Sequence, residues 1–100
     1  MDLRERVWKA DHYSKFGIKI EATGYNASTS WYYVFTSSKG NMTLDVYGGA
    51  VSIKGELNKG FFRGKEGYEE DFGSVDNLGN LEKAQEKIIK LLQTKYPAQK

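Results

Sequence analysis

From Phe16 to Leu57 the chain changes between apolar and polar at nearly every second residue, and short turn-forming segments interrupt that alternation. Phe16, Ile18, Ile20 and Ala22 alternate with Gly17, Lys19 and Glu21. Trp31-Tyr32-Tyr33-Val34-Phe35-Thr36 is aromatic and β-branched throughout, which suits a central strand with Trp31, Tyr33 and Phe35 inward. Met42, Leu44 and Val46 alternate with Thr43, Asp45 and Tyr47; Val51, Ile53 and Leu57 follow the same period with Ser52, Lys54 and Glu56 between them. A period of two puts one set of side chains on a buried face and the other in water. The connections Gly24–Ser30, Ser37–Asn41 and Gly48-Gly49 are turn chemistry and too short for crossovers. The run therefore predicts an antiparallel meander.

A different period closes the chain. Leu81, Ala84, Ile88, Leu91, Leu92 and Tyr96 recur every three or four residues, with Ile89 beside them and Lys83, Glu86, Lys87, Lys90 and Gln93 opposite. This is an amphipathic helix, with Asp76 or Asn80 available as its cap and Pro97 as its stop. Near the start, Leu3, Val7 and Ala10 are spaced for a short helix over residues 2–14, with a strand from Val7 as the rival. Residues 58–76 carry Gly60, Gly64, Gly67 and Gly73 among Phe61, Phe62, Tyr68 and Phe72, which reads as loops or bulges pinned by aromatics, with a short fifth strand at 60–63. The expected fold is one α+β domain over residues 1–100: a four- to five-stranded antiparallel sheet, a C-terminal helix on one face and a short N-terminal helix.

Composition narrows the chemistry. The 100 residues include no cysteine, which excludes disulfides, thiolate zinc sites and a cysteine nucleophile. Apolar residues are 39% of the chain, below the roughly 45–50% usual for globular domains, so the core leans on its 14% aromatics. No apolar run reaches the ~18 residues of a membrane helix, and the N-terminus lacks the apolar stretch of a signal peptide. The expectation is a soluble, cytoplasmic protein, in which the sequons at Asn26 and Asn41 carry no meaning. Net charge is +2, which by itself selects no partner.

Catalytic constellations are thin. His12 is the one histidine. Asp11 and Ser14 lie too near it in sequence to approach opposite imidazole nitrogens as a triad requires, so an enzyme built on His12 is the least favoured reading. A metal would have only carboxylates and that histidine to draw on. Gly60–Glu66 is one residue short of a phosphate loop and has no Ser or Thr after Lys65. Lys59-Gly60-Phe61 matches only the opening of an RNA-recognition motif. No catalytic residue, metal or cofactor is therefore assigned.

Two surfaces remain. Glu66, Glu69, Glu70 and Asp71, interleaved with Tyr68, form the densest acidic stretch. Bracketed by glycines, it is expected to project as a loop and engage a protein partner with a basic surface, the charges steering encounter and Tyr68 anchoring it. The alternative is a nucleic-acid-binding face in which Lys19, Tyr32, Tyr47 and Lys54, with Arg63 and Lys65 at the rim, hold phosphates and stack bases. In being small, cysteine-free and aromatic-rich, with no catalytic constellation, the chain resembles phage-encoded inhibitors of host defence, anti-CRISPR proteins among them. That resemblance covers size and class rather than motifs, and implies a non-enzymatic protein that blocks a partner's surface. Oligomeric state is not legible.

Overall fold

Each alternating run becomes a strand, and each pairs with its neighbour in sequence. The computed structural model describes residues 7–27, 30–59 and 64–94. Its elements are α1 (Ala10–Ser14), β1 (Lys19–Ala27), β2 (Ser30–Ser37), β3 (Gly40–Tyr47), β4 (Ala50–Asn58), β5 (Lys65–Ser74) and α2 (Leu78–Leu92). The sheet is an antiparallel meander in the order β1-β2-β3-β4-β5. The α+β architecture read from periodicity is the architecture observed.

Register follows the apolar pattern. Trp31 lies opposite Val46, Phe35 opposite Met42, Leu44 opposite Ile53 and Val46 opposite Val51; all of these are buried. A slip of one residue would send this whole set into water. Gly48 and Gly49 connect β3 to β4 with φ of 58° and 82°, the mirror-image turn whose twist suits a two-residue hairpin. At Gly55 the backbones of β3 and β4 come so close that a Cβ would lie 2.1 Å from the Asn41 carbonyl oxygen.

Helix α2 covers one face of the sheet. Leu81, Ala84, Ile88 and Leu92 are fully buried against the strands, together with Tyr13 of α1. Its N-cap is Asn77, whose side chain accepts from the Gly79 N–H at 3.0 Å, rather than the expected Asp76 or Asn80. Asn80 donates instead to the Ser74 carbonyl. The helix ends at Leu92, where Gln93 turns extended; Tyr96 and Pro97 lie outside the described residues.

Three further expectations are corrected. The N-terminal helix is five residues long, not thirteen, because Val7–Lys9 do not wind; the Trp8 N–H is held by the Gln85 side chain at 2.8 Å. Residues 1–6, with Leu3, lie outside the described residues. Gly24–Ala27, read as turn, continue β1 through a register shift, since pairing with β2 outweighs local turn preference. Residues 65–74, read as loops, form the ten-residue β5. The proposed strand at 60–63 falls outside the described residues.

Candidate binding face

Because α1 and α2 sit on the same side, the other face of the sheet has no described element over it. The pleat decides which side chains it presents. From β1 come Lys19 and Glu21, from β2 Tyr32, Val34 and Thr36, and from β3 Thr43, Asp45 and Tyr47. β4 adds Ser52, Lys54 and Glu56, and β5 adds Lys65, Gly67, Glu69 and Asp71. Tyr47 is 67% exposed, a large hydrophobic side chain open to water.

Among the described residues, five carboxylates (Glu21, Asp45, Glu56, Glu69, Asp71) and three lysines (Lys19, Lys54, Lys65) share this surface. The described part of the face is thus net negative, although the chain is net positive. Lys65 is engaged by Glu56 at 3.9 Å. A shallow hollow of about 600 Å³ opens where Gly67 contributes no side chain, bounded by Thr43, Lys54, Glu56 and Glu69. Asp45 stands opposite Tyr32 on one side and Ser52 on the other, and its enclosed Oδ1 accepts no hydrogen bond among the described residues.

The pleat divides the acidic stretch that sequence reading treated as one loop. Glu69 and Asp71 lie on the uncovered face, whereas Glu66, Tyr68 and Glu70 lie on the helix side. Tyr68 is not a projecting anchor: it packs against the core, donates its hydroxyl to Glu70 Oε1 at 2.6 Å and has Lys87 Nζ 5.6 Å from its ring centre. Accepting that bond, the Glu70 carboxylate pushes the Tyr68 phenol above its ordinary pKa. Phe72 also packs inward. Glu66 pairs with Lys59 at 3.6 Å. Lys19, Tyr32, Tyr47, Lys54 and Lys65 do share the uncovered face, while Arg63 lies outside the described residues.

His12 is surrounded by rings. Its imidazole centre is 4.7 Å from that of Trp8 and 5.8 Å from those of Tyr13 and Phe16. It closes an aromatic cluster under the sheet edge. Among the described residues no group of three or more His, Asp or Glu is placed to hold a metal, and no helix is long and apolar enough to cross a membrane.

Sequence reasoning missed Gln85. Its side chain is 1% exposed; its Oε1 accepts from the Trp8 N–H and from the Tyr13 hydroxyl, and its Nε2 donates to the Leu81 carbonyl. The available signal was a polar residue beside Ala84 and one turn from Leu81 and Ile88, inside the apolar stripe.

Comparison of the chain with protein-family models, with curated proteins and with solved structures finds no match.

Proposed function

We propose that this protein is a non-enzymatic binding protein whose uncovered sheet face occupies a basic surface of another protein. The observation that carries the reading is the charge of that face: among the described residues, five carboxylates to three lysines around Tyr32 and Tyr47, in a chain that is positive overall. Exposed tyrosine supplies contact area at small entropic cost, and surrounding charge selects the partner's sign. A partner surface of that sign is one suited to binding polyanions, so occupying it would block such binding, in keeping with the resemblance in size and class to inhibitors of host defence. His12 enters this reading only as packing.

A second reading rests on one observation, that Lys19, Tyr32, Tyr47, Lys54 and Lys65 share the face; it would make the same surface a nucleic-acid platform. The acids between those lysines weigh against it, because they repel a phosphate backbone. Oligolysine and a single-stranded oligonucleotide discriminate as probes. We expect oligolysine to shift amide resonances of Asp45, Glu69 and Asp71, and Glu69→Lys with Asp71→Lys to weaken that binding and flatten its salt dependence. Both positions are exposed, so each change should alter stability by about 0.5 kcal/mol or less. Oligonucleotide binding with a steep salt slope, and none of oligolysine, would replace this reading with the second.

A further inference from the structure

We infer that the outer edge of β5 receives an extended basic segment of the partner, which adds a sixth strand to the sheet beside Glu69–Asp71; this rests on the binding reading above. The ladder itself shows which backbone groups are available. Asn58 N–H bonds the Lys39 carbonyl, so the even-numbered residues of β4 from 52 to 58 bond toward β3. Lys59 N–H bonds the Gly64 carbonyl, which sets the same alternation on the other side: Leu57, Gly55 and Ile53 bond Glu66, Tyr68 and Glu70. In an antiparallel pair, residues that do not bond across the pair turn their N–H and C=O the other way. Lys65, Gly67, Glu69 and Asp71 therefore direct theirs outward, and no described element pairs with that edge. Helix α2 lies over the face of β5 through Tyr68 and Lys87, not along its edge.

Charge specifies what can pair there. At one end of β5 the charges are already engaged, Lys65 by Glu56 and Glu66 by Lys59. At the other end Glu69, Glu70 and Asp71 enter no ion pair among the described residues. These three point to alternate faces, Glu69 and Asp71 to the uncovered side and Glu70 to the helix side. A strand laid beside them is met by carboxylates on both of its faces. Its matching sequence is three consecutive basic residues, rather than the every-second-residue pattern that would satisfy one face alone. A second copy of β5 does not fit, since residues 65–71 carry four acids and one lysine and would meet the same excess. Charged side chains on an edge commonly prevent strand addition; here they leave it open to one sign.

The test uses a short threonine- and valine-rich peptide with three consecutive lysines at its centre, the same peptide N-methylated at the amides that would donate to β5, and one with the lysines spaced at alternate positions. Binding of the first is expected to slow hydrogen exchange at the Lys65, Gly67, Glu69 and Asp71 amides. Both altered peptides should bind about tenfold or more weakly, since lost donors and an unmatched carboxylate each cost on the order of one hydrogen bond. Gly67→Pro removes one outward N–H without touching the ladder to β4, a position an edge strand tolerates; it should keep the thermal midpoint and lose binding of the first peptide. Equal binding of the N-methylated peptide, with shifts confined to Tyr32, Asp45 and Tyr47, would overturn the added strand and leave the binding face standing. Failure of every basic peptide, oligolysine included, would overturn both. A dimer in solution that Gly67→Pro dissolves would show the edge taken by a second copy and overturn the inference.

Discussion

Two buried side chains show how much one polar atom can organise. Gln85 Oε1 holds the Tyr13 hydroxyl and the Trp8 N–H together, groups more than seventy residues away in sequence. The Tyr13 hydroxyl, fully buried, would otherwise lie in an apolar setting, where an unsatisfied group costs about 1–3 kcal/mol. Burial pushes the Tyr13 phenol far above its ordinary pKa, so in the fold it stays a neutral donor. This links stability to alkaline pH. Because the folded value is the higher one, the unfolded chain loses its proton first. Stability is full below about pH 10 and falls above it by about 1.4 kcal/mol per pH unit. Urea midpoints measured across that range should decline for the parent chain, and Tyr13→Phe should lower the starting stability while removing this part of the decline. An unchanged alkaline slope in Tyr13→Phe would mean the phenol titrates with water access.

At the scale of elements, the strands most legible in the sequence are those with one wholly apolar face. β3 and β4 place Met42, Leu44, Val46, Val51 and Ile53 in full burial, and alternation alone identifies them. β5 was not legible for a physical reason: as an edge strand it buries little, with Tyr68, Glu70 and Phe72 only half-covered, and its glycines and acids have low strand preference. Its partner β4 supplies what its own sequence does not. The end of β1 was misread likewise, Gly24–Ala27 being held by β2. Of the candidate site, the split of Glu66–Asp71 between two faces depended on recognising β5, so it was hidden too, whereas the shared placement of Lys19, Tyr32, Tyr47 and Lys54 followed from alternation. Helix α2 refines the stripe: Ile88 is fully buried and Leu91 only partly. Ile88→Ala should cost about 2–5 kcal/mol, with Leu91→Ala clearly less, both read from urea unfolding. Equal costs would mean the helix is rotated from the orientation described.

As a whole the molecule is a thin slab of 41 × 35 × 21 Å, one sheet with helices on one side. The segments flanking α1 are tied to α2 and the residues after it: Thr94 N–H bonds the Phe16 carbonyl at 2.8 Å, and Gln85 holds the Trp8 backbone N–H. Among the described residues, the fully buried side chains of β2, β3 and β4 all point to the helix side. Stability should be nearly indifferent to the other side. Replacing Lys19, Glu21 and Lys54 together with alanine is expected to move the thermal midpoint by no more than several degrees, because exposed substitutions cost about 0.5 kcal/mol or less each. A collapse of the midpoint would reveal that the uncovered face holds the sheet together.

The pleat of β4 has a hereditary consequence. Val51 and Ile53 point into the core while Ser52 and Lys54, their immediate neighbours, point away from it. Point substitutions at the outward positions can change the chemistry the face presents while the interior stays as it is. Deleting a single codon within residues 51–54 would exchange the two sets and send Lys54 or Ser52 into the interior. Variation by substitution is thus cheap along this surface, and variation in length within its strands is nearly forbidden, so a lineage in pursuit of a changing partner would be expected to vary letter by letter here and by length only at the turns.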